Sequence, residues 1–225
     1  MKSLKHLYLA LCIIVLLCIP VSLWAEKAAG VEHITPTAVA AQTAASKTAS
    51  AARSKLKTVM PRFQYGGKDP IEKLVYETEI DRGLEGIKPG MFSIVSPIIL
   101  NVSQEGNFLK VFLNSSGSDY TLWNDHTITQ GSCWAFPTAI TYQKQASGSY
   151  TLLKYDMPQD GEGFYPRSIH NFCTTPATHK GIPGLAERMM NFQTSVLIPL
   201  GIDRNYKSYL DKNKIKGYRL IPLGS

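Results

Sequence analysis

The sequence predicts an α+β domain, mainly antiparallel β of barrel-like or sandwich-like form, with two helices toward the C-terminus. Three observations predict it. Short apolar runs separated by turn residues follow one another from Leu74 to Tyr155 with no helical pattern between them. From Pro183 the apolar period lengthens to that of a helix. After Pro61 the aromatic and Val/Ile/Leu content suffices for one core, whereas residues 26–60 contain no aromatic side chain.

Taken in order, Met1 to Ala25 has the form of a targeting segment. Lys2 and Lys5 give a positive start, Leu7 to Leu23 is almost wholly apolar, and Ala25 ends it. This predicts export to a periplasmic or secreted location, with residues 7–24 acting as a membrane tether if the segment is not cleaved. Residues 26–60, rich in Ala, Thr, Ser and Lys, read as a flexible linker, and residues 61–225 as a single globular domain.

Within that domain Leu74 to Ile80 alternates apolar and polar residues, which predicts a half-buried strand with Glu77 and Glu79 on its wet side. Met91 to Val102 is apolar but interrupted by Pro97, which predicts two short strands or a bulged edge. Phe108 to Leu113 reads as a buried strand ended by Asn114, Ser115, Ser116 and Gly117. Tyr120 to Trp123, Ile128 to Gln130, Phe136 to Gln143 and Tyr150 to Tyr155 follow as further strands. Pro158, Gly161, Gly163 and Pro166 predict a long loop. Leu185, Met189, Phe192 and Val196 then share one helical face, and a second helix is predicted over Arg204 to Lys214, with Tyr206, Tyr209 and Leu210 inward and lysines outward. Tyr218 to Leu223 returns as a terminal strand.

The net charge of +7 is largely peripheral, because from Pro61 onward 17 Lys and Arg face 15 Asp and Glu. That balance disfavours a globally basic nucleic-acid binder. The C-terminal bases Lys207, Lys212, Lys214, Lys216 and Arg219 remain a candidate binding patch for a polyanion.

Gly131, Ser132, Cys133, Trp134, Ala135 and Phe136 form a string similar to that around the nucleophilic cysteine of papain-like proteases. The resemblance implies a helix starting at the cysteine, a glutamine six residues earlier, and a histidine about 130 to 150 residues later. Thr127 stands where the glutamine belongs, only 92 residues follow Cys133, and Pro137 would interrupt the helix. The likeness stops at six residues. A different thiol enzyme would use Cys133 with His170 or His179, oriented by Asp125 or Asp156.

In an oxidising compartment Cys133 and Cys173, the two cysteines beyond the export segment, are expected to pair. Such a bridge would close a loop of about 40 residues, worth roughly 4 kcal/mol through loss of unfolded-state entropy. His170, Cys173 and His179 lack the spacing of a compact metal knuckle, so no metal is assigned. No cofactor is implied, and no phosphate-cradling glycine loop is present. Asn101-Val-Ser103 and Asn114-Ser-Ser116 match the glycosylation acceptor pattern.

The expected function is an exported, non-enzymatic binding or scaffolding module of the cell envelope or secreted space, with a protein or envelope polymer as partner. Its working surface is expected on the Asp156 to Lys180 segment or the C-terminal basic helix. A cysteine-dependent hydrolase or transferase is the alternative, and a polyanion-binding protein the third reading.

Overall fold

The computed structural model describes residues 53–224 except 162; the expected targeting segment and most of the expected linker lie outside these residues. Among them are four helices and six strands. Helix α1, Pro70–Gly83, precedes strands β1 (Met91–Val95), β2 (Ile98–Glu105), β3 (Phe108–Leu122), β4 (Thr127–Lys144) and β5 (Tyr150–Asp156). Helices α2 (Phe164–Phe172), α3 (Leu185–Phe192) and α4 (Leu197–Lys212) come next, and β6 (Arg219–Ile221) closes the chain.

The β3–β4 hairpin is the frame. Its strands of 15 and 18 residues exceed the roughly 3 to 10 residues usual in globular proteins. β1 and β2 lie end to end along the outer edge of β3, with Val95 opposite Gly117 and Ile98 opposite Asn114. Pro97 interrupts this edge strand without changing its register, as a ring with no donor can do at an edge. Along β4, β5 pairs antiparallel at one end and β6 parallel at the other. The result is one open, mixed, mostly antiparallel sheet clothed by helices, not a barrel or sandwich.

The segment Leu74 to Ile80, expected as a strand, is the middle of α1. Asp69 caps this helix by accepting hydrogen bonds from the amides of Ile71 and Glu72 at 2.9 and 2.8 Å, and Pro70 occupies the first turn. Val75, Tyr76, Glu79 and Ile80 are buried at the spacing of a helix. Glu79, expected on a wet face, is a core residue, and that polar side chain on the inner stripe is what made the pattern look alternating.

Asn114 to Gly117 do not end a strand, because the buried serines there find partners. Ser115 Oγ donates to Glu79, Ser116 Oγ to the Ser96 carbonyl at 2.5 Å, and Ser118 Oγ to the Ser132 carbonyl at 3.1 Å. Asn114 is fully buried, which excludes its glycosylation in the folded domain. Gly117 is required by packing. A Cβ there would sit 2.4 Å from Cζ2 of Trp134 and 2.7 Å from the Ile94 carbonyl oxygen.

The long loop expected after Asp156 contains α2, which begins after Gly163 and carries Pro166 in its first turn, where proline is tolerated. α3 ends at Phe192, so Val196 is exposed instead of continuing its face. α4 starts seven residues earlier than Arg204, and buries Tyr206 and Tyr209 as expected.

One face of the hairpin, through Val111, Leu113, Ile140 and Tyr142, packs with Val75 of α1. Phe112 and Ala139 pack instead with Ile169 and Phe172 of α2 and Leu185 and Met189 of α3. At the β1 end, Phe92 and Tyr120 stack with Tyr209 and Tyr206 of α4 at centroid distances of 4.5 and 4.6 Å. Residues 53–60, expected in the linker, lie along the hairpin tip. Lys55 bridges Trp123, and the Leu56 amide donates to the Leu122 carbonyl at 3.1 Å. Among the described residues no helix is long and apolar enough to cross a membrane.

Candidate functional site

Lys110 is the third residue of β3, between the apolar Leu109 and Val111, and is only 5 % exposed. Its ammonium has one hydrogen-bond partner, Thr174 Oγ1 at 3.4 Å, and lies 5.4 Å from the centre of the Phe112 ring. Three donors therefore share a single long contact. No carboxylate lies within ion-pair distance of it among the described residues: the adjacent Asp156 is held by Lys154 at 2.8 Å. Burial depresses the Lys110 pKa below its ordinary 10.5, opposed in part by the Asp156 charge.

This lysine opens into a cavity of about 400 Å³. Ser168 and Asn171 of α2, Thr174, Thr141 of β4 and His179 supply polar groups to its wall, and Leu153, Met157 and Phe172 supply apolar ones. The wall is held by its own hydrogen bonds. The Ile182 amide donates to the Cys173 carbonyl at 2.9 Å and Thr175 pairs with Lys180. Glu105 of β2 accepts from the amides of Thr178 and Ala177 at 2.9 and 2.7 Å and from Thr178 Oγ1 at 2.8 Å. Those donors, the Thr178 amide foremost, hold the Glu105 carboxyl down at about 2. The segment expected to carry the working surface is thus folded around a buried cation.

The other residues singled out in the sequence do not converge. Cys133 and Cys173 are both free thiols, which corrects the expected disulfide. Cys133 is exposed on β4, where Ser118 Oγ lies 3.2 Å and Gln130 Nε2 3.1 Å from its sulfur. Cys173 closes the end of α2, buried with its sulfur 3.5 Å from that of Met189, and burial pushes its pKa up to about 11. Cys173 is buried in the cluster formed with α2 and α3, whereas Cys133 is exposed beside α4, so the two are not paired.

Cys133 lines an apolar groove of about 540 Å³ against Ile198, Pro199, Ile202 and Tyr206 of α4. His170 Nε2 instead faces Glu187 at 3.8 Å, and His179 lines the Lys110 cavity. Neither imidazole lines the Cys133 groove, so the dyad proposed from the sequence is not assembled. Asp125 accepts from Thr127 and pairs with Arg53 at the hairpin tip. Nor do His170, Cys173 and His179 meet; among the described residues no three His, Cys, Asp or Glu side chains gather to hold a metal.

The C-terminal bases are dispersed. Lys207 pairs with Asp203 at 2.7 Å, Lys212 donates to Gln64 at 2.6 Å, Lys214 occupies the turn after α4, and Arg219 begins β6. Sequence reasoning missed Lys110, although a lone lysine inside the apolar run Phe108 to Leu113 was the signal that could have found it. No protein family, curated protein or solved structure matches the chain.

Proposed function

We propose that this chain is an exported, non-enzymatic binding module whose folded domain seats a small anion, a carboxylate or phosphate, on Lys110. One observation carries the reading: a lysine only 5 % exposed, with no carboxylate within ion-pair distance among the described residues and with Asp156 of the same wall engaged by Lys154, faces a cavity walled by hydroxyl and amide donors. An isolated buried charge is expensive, several kcal/mol per ion. An anion bound in the cavity would offset that penalty and would use the donors that Thr174 leaves idle. The sequence supports export through residues 1–25, with the module held off a membrane by the following linker or released by cleavage.

The test is thermal unfolding in inorganic phosphate or acetate against chloride at equal ionic strength. Wild-type protein should gain melting temperature saturably, as ligand linkage requires, and Lys110→Met should not respond. Equal responses in the two proteins would refute the Lys110 seat. The mass of the protein recovered from an exporting host reads the fate of residues 1–25 separately.

A further inference from the structure

We infer that the cleft at the C-terminal end of α1 is a second binding site, built for a neutral polyhydroxylated ligand the size of one sugar ring. It is independent of the Lys110 cavity. The cleft encloses about 220 Å³, the share of about seven water molecules at ~30 Å³ each. Its floor is already satisfied. Glu79, 2 % exposed, accepts from Ser115 Oγ at 2.5 Å and from the Tyr155 hydroxyl at 2.7 Å. These bonds fix the Tyr155 ring, and the guanidinium of Arg82 lies over that ring at 3.6 Å.

Two polar atoms in the wall remain without a partner. Asp119 uses Oδ2 to accept from Ser132 at 2.6 Å, while its Oδ1 is buried and unpaired. Arg82 uses Nη2 toward the Met157 sulfur at 3.4 Å, while its Nη1 is buried and unpaired. Asp119 from a strand and Arg82 from a helix thus both line the cleft, and each carries one polar atom that the chain leaves unpaired. Polar groups in this condition are under-satisfied by the chain alone, and a water or a ligand hydroxyl can supply the missing partner. A hydroxyl both donates and accepts, so neighbouring hydroxyls on one ring satisfy both atoms.

The opposite requirement, an apolar surface, is met by Trp134 and Phe136. Trp134 is set in advance, its ring lying where the Cβ of any residue other than Gly117 would fall. Aromatic walls facing the C–H side of a ring and polar atoms facing its hydroxyl edge match a saccharide. Charge selects against other classes: Asp119 and Glu85 disfavour an anion, and Arg82 disfavours a cation.

The experiment is a titration of the whole chain with methyl glucoside and N-acetylglucosamine, each up to about 10 mM. The readout is the indole N–H resonance of Trp134, identified by its loss in Trp134→Phe. Saturable shifts in wild-type and in Lys110→Met, weakened about tenfold or more in Asp119→Asn, would support the site. If Asp119→Asn melts early, Arg82→Gln tests the other wall and should weaken the same shifts. Absence of any saturable shift, wild-type affinity in both Asp119→Asn and Arg82→Gln, or stronger binding of glucuronate than of the neutral sugars would overturn it. Loss of phosphate response at Lys110 leaves these outcomes unchanged, so the two readings fail separately.

Discussion

Among the described residues one carboxylic acid and one lysine are buried at the hairpin, Glu79 packed against it from α1 and Lys110 on β3 itself, and the protein treats them in opposite ways. Burial raises the Glu79 pKa above the ordinary 4.5, and the hydrogen bonds from Ser115 and Tyr155 oppose that push, so part of its cost is met within the fold. Lys110 receives one contact at 3.4 Å and opens into a cavity. A buried charge completed by the chain is part of the architecture; one left incomplete marks a place where something else completes it. The same sheet thus separates a structural polar cluster from a receptive one.

The largest test of this contrast is Glu79→Ala, which strands two buried hydroxyls and leaves a void. It should lower unfolding free energy by about 3 kcal/mol in urea titration, and Glu79→Gln by about 1 kcal/mol. The pH dependence has a defined sign. Folding raises the Glu79 pKa, so its contribution is complete below 4.5 and is lost as pH rises through the folded value. Glu79→Gln should flatten that slope.

Gly117→Ala pushes a methyl group into Trp134 and the β1 backbone and should cost about 2 kcal/mol, with a changed tryptophan emission as its signature. Lys110→Met should shift stability the other way, raising it by about 1 kcal/mol at neutral pH without anion. Folding lowers the Lys110 pKa, so its contribution is present above the ordinary 10.5 and lost as pH falls through the folded value. Added phosphate should narrow the gap between the variant and wild type, and a destabilised Lys110→Met would break the contrast.

The smallest effect is one of rate, not stability. In unreduced protein at about pH 8, a disulfide-exchange reagent should modify exposed Cys133 promptly and Cys173 only on unfolding. Failure of both to react even after unfolding would restore the bridge.

Much of the strand pattern was legible. Pro97 announced the break between β1 and β2, and Tyr206 and Tyr209 announced the inner face of α4. What escaped was decided by partners distant in sequence. Ser115 belongs inside a strand only because Glu79 lies across from it, 36 residues earlier, and nothing local distinguishes that serine from one in a turn. α1 was misread for the same reason, although Asp69 and Pro70 held the helix-start signal. The Lys110 cavity takes its walls from β3, β4, β5, α2 and the loop after it, so only the lysine itself left a mark in the local pattern.

Arg53 contacts Thr127 at 2.9 Å, and Thr127 is also the residue opposite Arg219 in β6. Both ends of the domain are therefore clasped at one pole, the first by the Lys55 bridge with the Arg53 and Leu56 contacts and the last by a three-residue ladder. Tension applied across these ends would peel the clasp bond by bond before loading the long hairpin. The molecule would yield like a latch, releasing its ends while keeping both cavities walled.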